Sequence, residues 1–437
     1  MSVRGEILVS TISTRTLSQQ MDFEFRVDDL NVHFQLKRPF IQNLFSRDRA
    51  VVHAVDGVSF TIRQGEILGL VGESGSGKTT LGKSLVRLIE PASGHLVLNG
   101  KDITHLGESR IRPLRRQMQI IFQDPHASLN PAMTIGQAIT HPLKIHGIFK
   151  VKTAEEVKSM VLKVMREVGL SPEDQLYSKY PADLSGGQKQ RTAIARALIL
   201  RPRLIVADEP VAMLDMSIRA KVLQLMLDLR SKYDLTYVFI THDLATAKFL
   251  CDRIAIMYLG RIVEIGPSKE IFEDPKHPYT KALLQAIPIP DPKKRVSRVL
   301  PKGEVPDAVN PPAGCRFHPR CLAVLHTCGW EGRDFIDYLE QRRLNPERAK
   351  EDERILGPLD LWSAKGSKAK RKVRQQDPGP ILAFLKEILG EAQQQMAQAI
   401  QSVSVKEDHI VVEFQEPEKL VQTQVDARTV ECLLYQQ

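Results

Sequence analysis

The chain has 437 residues, of which 42% are hydrophobic and 26% charged, so disorder along its whole length is excluded and about two or three compact units can form. Lys and Arg outnumber Asp and Glu by 61 to 52, an excess that suits phosphates, nucleic acid or an anionic membrane surface, or simply a solvated surface. Residues 1–20 lack the apolar core of a signal peptide, and no window approaches the roughly 18 apolar residues of a membrane helix. We expect a cytosolic chain that reaches a membrane only through a partner.

Short apolar runs alternate with helical patterns between about Phe23 and Gly266, after an N-terminal tail of residues 1–22. The runs Glu66–Val71, Leu204–Ala207 and Tyr237–Ile240 lack polar alternation and predict central strands that are buried on both faces. This order predicts an α/β domain over residues 23–266 with a mainly parallel sheet.

A helical subdomain is predicted inside that domain, over about residues 131–200. The stretch from Ala154 to Val168 places Val157, Val161 and Val164 at helical spacing. We therefore expect a helix-rich insertion in the sheet core.

The first motif follows the strand Glu66–Val71. Gly72-Glu73-Ser74-Gly75-Ser76-Gly77-Lys78-Thr79 fits the P-loop pattern G-x-x-x-x-G-K-[ST], and a helix is predicted to begin near Thr79. Glycines allow successive N–H groups to converge on phosphate oxygens at the positive end of the helix. We expect phosphate binding by Gly72, Glu73, Ser74, Gly75, Ser76, Gly77, Lys78, Thr79 and Thr80, with Lys78 on the β- and γ-phosphates and Thr79 on Mg²⁺.

Two acids, Asp208 and Glu209, follow the predicted strand Leu204–Ala207. Their position places both carboxylates at the carboxyl edge of the sheet, beside the P-loop. Buried carboxylates need a cation or a hydrogen bond. Asp208 suits Mg²⁺ through its water shell, and Glu209 suits polarisation of the attacking water.

A second glycine motif, Leu184-Ser185-Gly186-Gly187-Gln188, precedes the predicted helix Lys189–Leu200. Its place between the P-loop and the acidic pair resembles the ABC ATPase family, a P-loop α/β fold with an inserted helical subdomain. In that family the LSGGQ signature binds the γ-phosphate of an ATP molecule held by the opposite protomer. The resemblance assigns that role to Ser185, Gly186, Gly187 and Gln188.

The same resemblance assigns further residues. His242 matches the switch histidine that contacts the γ-phosphate, and Gln123 matches the Q-loop glutamine that ligates Mg²⁺ or orients water. The D-loop keeps Asp215 but reads Ala212-Met213-Leu214 where the family usually has Ser-Ala-Leu, which bears on communication between the two sites. With Lys78, Glu209 and His242 present, hydrolysis is expected to be retained. Phe34 is the candidate for stacking on adenine.

Further segments resemble the ATPases of oligopeptide and dipeptide importers: Ala54–Phe60, Ser128–Pro131, Met257–Gly260, His277–Thr280 and Pro311–Cys321. This resemblance implies two permease subunits, a sister ATPase in a heterodimer rather than a homodimer, an extracytoplasmic solute-binding protein and a peripheral position on the cytoplasmic membrane face. Nickel or a sugar is an alternative cargo. A soluble ABC ATPase acting on ribosomes or nucleic acid, and a non-catalytic regulatory subunit, are further alternatives; no nucleic acid partner is expected.

Residues 267–330 are predicted to form a C-terminal extension with a cysteine motif. Cys315, Cys321 and Cys328 do not follow the paired C-x2-C spacing of common zinc sites. Some members of the resembling family hold a [4Fe–4S] cluster with four such thiolates, and Cys432 would complete the set. Zinc and free buried thiols are the alternatives. Cys251 is expected in the core.

Residues 331–437 are predicted to form a divergent extension of open role. A proline-rich connector with Pro288, Pro290 and Pro292 precedes the cysteine motif. The basic run Lys365–Arg374 is typical of a solvated linker, or of contact with anionic lipid or a partner. Pro380 to about Ile400 predicts an amphipathic helix, and His409–Phe414 a strand.

Overall fold

The computed structural model describes residues 23–36, 51–148, 151–286, 301, 303–373 and 377–436. The predicted tail 1–22 and the prolines of the connector at positions 288, 290 and 292 lie outside the described residues. None of the helices in the described part of the chain has the length and apolarity that a membrane crossing requires.

The first part of the chain alternates strands and helices. Its strands are β1 (Glu24–Gln35), β2 (Val51–Arg63), β3 (Ile67–Val71), β4 (Ser93–Leu98), β5 (Lys101–Asp102), β6 (Met118–Ile121), β7 (Leu204–Asp208), β8 (Thr236–Thr241), β9 (Arg253–Tyr258) and β10 (Arg261–Pro267). Its helices are α1 (Lys78–Leu85), α2 (Glu108–Leu114), α3 (Pro125–Ser128), α4 (Ile135–Ile145), α5 (Ala154–Glu167), α6 (Glu173–Tyr177), α7 (Gly186–Leu198), α8 (Met216–Tyr233), α9 (Leu244–Leu250), α10 (Ser268–Glu273) and α11 (Pro278–Gln285).

The last part adds shorter elements. Its helices are α12 (Gly332–Arg342), α13 (Pro346–Leu356), α14 (Pro378–Gly390) and α15 (Gln394–Ala399). Its strands are β11 (Trp362–Lys365), β12 (Lys368–Lys372), β13 (Ile400–Lys406), β14 (His409–Phe414), β15 (Thr423–Val425) and β16 (Arg428–Val430).

Among the described residues, the largest sheet has eight strands in the order β15-β16-β10-β9-β3-β8-β7-β6. Strands β9, β3, β8, β7 and β6 are parallel, and β10, β16 and β15 extend the sheet in antiparallel fashion. Every residue of β3, β7 and β8 is buried, as their apolar composition predicts. A second sheet, β2-β1-β4-β5, is antiparallel and packs with one face of the main sheet through one hydrophobic cluster.

Helices α4 to α7 lie within residues 131–200, where the helical subdomain is predicted, on the other face of the main sheet. Val157, Val161 and Val164 of α5 are buried in the same cluster as Ile205 of β7. α5 begins with a capping box in which the Thr153 hydroxyl accepts from the Glu156 N–H, so the helix start is fixed locally.

The C-terminal extension has a core of its own. A four-stranded antiparallel sheet, β11-β12-β14-β13, packs with α12 and α14 around Phe335, Leu385 and Val412. Phe335 lies edge-on to Trp362 with the ring centroids 5.2 Å apart. The same cluster includes Cys328, so the cysteine motif is one of the links between this extension and the ATPase region.

Two local predictions for this extension are wrong. The described part of the run Lys365–Arg374, up to residue 373, is not a solvated linker, because Lys368–Lys372 forms the inner strand β12, with Ala369 and Arg371 buried. The helix expected from Pro380 to Ile400 is two helices, α14 and α15, and Ile400 already belongs to β13. The strand predicted over His409–Phe414 is confirmed with those bounds.

Candidate active site

The loop from Gly72 to Gly77 joins β3 to α1 and has no room for side chains at its two ends. A Cβ on Gly72 would lie 2.1 Å from the Met257 carbonyl oxygen, and one on Gly77 would lie 2.0 Å from the Ala54 carbonyl oxygen. Gly77 also has a φ of 102°, in the left-handed region, as the residue that caps α1. The loop backbone is therefore wrapped closely against β2 and β9, with its curl fixed by glycine.

Lys78 opens α1 and folds back over the loop. Its ammonium group donates to the carbonyl oxygens of Gly72 and Glu73, at 2.8 Å each, and lies 3.4 Å from the Ser76 hydroxyl. Burial lowers the pKa of Lys78, while the carboxylates of Glu209 and Asp208 act in the opposite direction. The Lys78 ammonium group is therefore held where phosphate oxygens are expected, between the loop and the carboxylates of Asp208 and Glu209.

Thr79 and Asp208 join the P-loop helix to the main sheet. The Thr79 hydroxyl donates to the Asp208 carboxylate at 3.0 Å, and Asp208 is only 3% exposed. Burial raises the pKa of Asp208, and the hydrogen bond from Thr79 only partly offsets this effect. A carboxylate this destabilised favours a cation nearby, and these two side chains form a suitable oxygen-ligand pair for Mg²⁺.

A second group of site residues is centred on the carboxylate of Glu209. One carboxylate oxygen accepts from the Gln123 amide at 3.0 Å, and the other lies 3.0 Å from Nδ1 of His242. Glu209 has a φ of 46°, a strained backbone conformation for a residue with a side chain, which the surrounding structure has to hold. Three side chains that the sequence places after three different parallel strands thus meet at one edge of the sheet.

The signature residues lie at the start of α7, in the helical subdomain. Ser185 and Gln188 form a capping box: the Ser185 hydroxyl accepts from the Gln188 N–H at 3.3 Å, and the Gln188 side chain accepts from the Ser185 N–H at 3.0 Å. The side chain of Ile218, in α8, lies so close that a Cβ on Gly187 would be 2.8 Å from it. The D-loop, which ends in Asp215 at the cap of α8, therefore borders the signature.

Phe34 lies near the end of β1 and is 40% exposed, opposite Val52 of β2. The neighbouring pair, His33 and His53, faces across the same strands, and both rings lie near Asp56. Burial would raise the pKa of Asp56, but Arg316 and Arg261 hold it below its usual range. Because two guanidinium groups already neutralise this carboxylate, the trio is poorly suited to an additional cation.

The four predicted cysteine ligands converge from distant parts of the chain. Cys315 and Cys328 are joined by a backbone hydrogen bond of 2.8 Å, and Cys321 follows the turn His318–Arg320. Cys432 arrives by a different route: β16 pairs with β10 through Glu264 and Ile265, and Cys432 follows two residues after β16, close enough to Cys315 and Cys321 to act on their pKa values. The sequence did not predict this strand pairing, which attaches the C-terminus to the ATPase sheet.

Burial, reinforced by the neighbouring Cys328, Cys432 and Cys321, raises the pKa of Cys315. Similar causes raise the pKa of Cys321 to about 12 and that of Cys432 to about 11. Within the described residues, no three cysteine sulfur atoms lie within 4.8 Å of one another. A tetrahedral zinc site with 2.3 Å bonds needs sulfur atoms roughly 3.8 Å apart, so among the described cysteines no three are placed to share one zinc ion. Cys251 is buried, as predicted.

Sequence reasoning missed two residues that contact the P-loop. The Tyr279 hydroxyl accepts from the Glu73 N–H at 3.0 Å, and Arg320 forms an ion pair with the Glu73 carboxylate. Both belong to segments that resemble the peptide importers, but nothing in their local pattern indicates a partner some 200 residues away. The resemblance was the only available signal.

The fold and this constellation define an ATPase of the ABC class. The family model described as "ABC transporter" matches residues 55–212, and the model described as "Oligopeptide/dipeptide transporter, C-terminal region" matches residues 263–328. A "Probable peptide ABC transporter ATP-binding protein" of Sinorhizobium fredii is 46% identical over 307 residues, which cover 70% of this chain and 84% of the relative. The "Oligopeptide transport ATP-binding protein AppF" of Bacillus subtilis is 44% identical over 293 residues, which cover 66% of this chain and 88% of the relative.

The chain belongs to the family of ABC transporter ATP-binding subunits that carry the oligopeptide/dipeptide transporter C-terminal region. The predictions of the fold class and of an ABC-type ATPase coupled to transport are confirmed. Membership implies ATP and Mg²⁺ as substrate and cofactor, and permease subunits as membrane partners.

Proposed function

We propose that this subunit powers the import of oligopeptides or dipeptides from the cytoplasmic face of the membrane. The names of both relatives support a peptide cargo. The observation that carries the ATPase role is the contact of Glu209 with both Gln123 and His242, at 3.0 Å each, next to the Thr79–Asp208 pair. This arrangement combines a proton acceptor, a metal-binding pair and a Q-loop side chain at one sheet edge.

In this proposal the loop from Gly72 to Thr80 binds the phosphates of ATP, and Lys78 neutralises the β- and γ-phosphates. Thr79, Gln123 and Asp208 hold Mg²⁺, which shields the phosphate charge when it is bound. Glu209 accepts a proton from the attacking water, and His242 orients Glu209 and contacts the γ-phosphate. Phe34 stacks on the adenine.

We further propose that two ATPase subunits close on two ATP molecules, with Ser185, Gly186, Gly187 and Gln188 of one subunit against the nucleotide of the other. Two exposed apolar side chains beside the signature support such a contact: Met213 is 64% exposed and Met216 83% exposed. Asp215 lies between them. The partner is a sister ATPase in a heterodimer, and closure drives two permeases that receive solute from an extracytoplasmic binding protein.

The proposed cargo is tested by reconstituting the chain with its permeases and sister ATPase in vesicles. We expect ATP-driven uptake of labelled dipeptides or oligopeptides, and no uptake when Lys78 is changed to Ala in this subunit and its counterpart is changed in the sister. Uptake of nickel or a sugar in place of peptides would contradict the cargo while leaving the ATPase role intact.

We also propose that Cys315, Cys321, Cys328 and Cys432 hold a [4Fe–4S] cluster, which would cross-link the segment 315–328 to the residues that follow β16 in the main sheet. The placement of the cysteines supports this proposal, because the thiols of Cys321, Cys328 and Cys432 lie close enough to Cys315 to act on its pKa. Iron and acid-labile sulfide should co-purify anaerobically and be lost in Cys432→Ser, whereas Cys251→Ser should retain them. Zinc instead of iron, or four titratable thiols, would contradict the cluster.

A further inference from the structure

The side chain of Glu73 points from the phosphate-binding loop to the segment 263–328, which is called the C-terminal module from here on. Nη1 of Arg320 lies 3.1 Å and 3.4 Å from the two Glu73 carboxylate oxygens. The Arg320 side chain is 11% exposed and that of Glu73 is 29% exposed, so the pair is largely shielded from water. An ion pair at this depth is screened less than one on the open surface.

Arg320 is itself held on several sides. Its guanidinium carbon lies 5.9 Å from the centres of both the Tyr258 and Phe317 rings, and Nη1 lies 3.4 Å from the Tyr258 hydroxyl. The Arg320 N–H donates to the Phe317 carbonyl at 3.0 Å within the turn that Cys315 and Cys321 flank. The guanidinium is therefore presented to Glu73 in a fixed position rather than on a mobile stem.

The module also contacts the backbone of Glu73. Tyr279, which is fully buried, accepts the Glu73 N–H at 3.0 Å, and its ring lies 4.6 Å from that of Tyr258. Tyr279, Phe317 and Arg320 all belong to the segment 263–328 that matches the C-terminal family model. Tyr279 thus fixes the main chain of Glu73, and Arg320, which packs on neighbouring aromatic rings, fixes its side chain.

A carboxylate in a phosphate-binding loop has an electrostatic cost. Glu73 is close enough to Lys78 to act on its pKa, so it is also close to where the phosphates of ATP are expected. Left unpaired, its negative charge would repel the triphosphate and compete for the Lys78 ammonium. Arg320 supplies the positive charge that removes this repulsion.

We propose that Arg320 is a positioning residue of the ATP site, which neutralises and orients Glu73 so that the loop accepts the phosphates of ATP. This inference rests on the proposed ATP site and adds a role for the C-terminal module. It requires that the effect of losing Arg320 depends on the charge of Glu73, which a merely structural role for Arg320 would not require.

The test is a double-mutant cycle on the full chain, with Mg-ATP affinity measured by competition against a fluorescent ATP analogue. Arg320→Ala should weaken ATP binding about ten-fold, the order expected for one uncompensated charge at a few ångströms. Glu73→Gln alone, which removes the carboxylate but keeps the backbone of the loop, gives the reference affinity for the second edge of the cycle. The double variant Arg320→Ala with Glu73→Gln should recover most of the lost affinity.

A double variant that binds no better than Arg320→Ala would overturn the proposal, as would an Arg320→Ala variant with wild-type affinity. Arg333→Ala, which removes an exposed arginine of the neighbouring helix, is the matched control and should change nothing. If Arg320→Ala does not fold, Arg320→Lys serves instead, with a smaller loss that Glu73→Gln again recovers. A wild-type chain that does not bind Mg-ATP would contradict the ATP site itself, which separates the two failures.

Discussion

Glu209→Gln should slow ATP hydrolysis while ATP binding is kept, because the change removes the carboxylate charge and leaves the shape of the side chain. In the wild type, each Glu209 oxygen has a partner at 3.0 Å, Gln123 on one side and His242 on the other. The Gln amide keeps an oxygen for one partner, and rotation of the Gln123 amide presents its oxygen to the new NH₂ group. The fold therefore loses at most about one hydrogen bond, roughly 0.5–1.5 kcal/mol.

The effect on the reaction is much larger. Loss of a positioned general base slows turnover by roughly 10²–10⁴-fold, which corresponds to about 3–5 kcal/mol in the activation barrier. The assay is phosphate release by the assembled transporter at saturating ATP, combined with ATP affinity and a thermal melt. Since the sister subunit carries its own site, its equivalent glutamate is changed in parallel. Glu155→Gln, on the exposed start of α5, is the control. Undiminished turnover in the Glu209 variant would refute the assignment.

Three further perturbations test separate parts of the account. Asp208→Asn should raise the melting temperature of the nucleotide-free protein. Burial raises the pKa of Asp208, so the folded state loses stability as pH rises above the unfolded pKa, and removal of the charge should stabilise the fold by about 1 kcal/mol at neutral pH. The stability of the variant should also depend less on Mg²⁺, and a lower melting temperature would contradict this prediction. Phe34→Ala should weaken ATP binding by about 1–3 kcal/mol if this ring stacks on adenine, and unchanged affinity would exclude it. Arg428→Ala leaves the carbonyl oxygen of Glu270 without its 3.1 Å donor and should lower the free energy of unfolding by about 1–3 kcal/mol. Amide exchange in β16 should become faster, and any metal held through Cys432 should be lost. Unaltered exchange in β16 would show that this arginine does not hold the strand.

Local sequence pattern was sufficient for the elements that build the ATP site. The apolar run before the P-loop predicts β3, and the valine spacing predicts α5, because burial on two faces or on one helical stripe leaves a direct signature in the sequence. The meeting of Gln123, Glu209 and His242 follows from one topological fact, that parallel strands end at the same edge of a sheet.

The C-terminal part was harder because its inner positions are not conspicuously apolar. β12 buries Ala369 and Arg371 between lysines, so its period of two was hidden by its charge. The pairing of β16 with β10 and the contact of Arg320 with Glu73 join residues far apart in sequence, and no local pattern encodes either. The roles of such residues become visible only when the chain is folded.

The most direct test of the shared ATP site is a structure of the assembled transporter carrying Glu209→Gln, trapped with Mg-ATP. The account predicts that the Ser185 hydroxyl lies at hydrogen-bond distance, about 3 Å, from the γ-phosphate of the ATP held by the opposite subunit. A closed complex in which Ser185 stays remote from both nucleotides would contradict it.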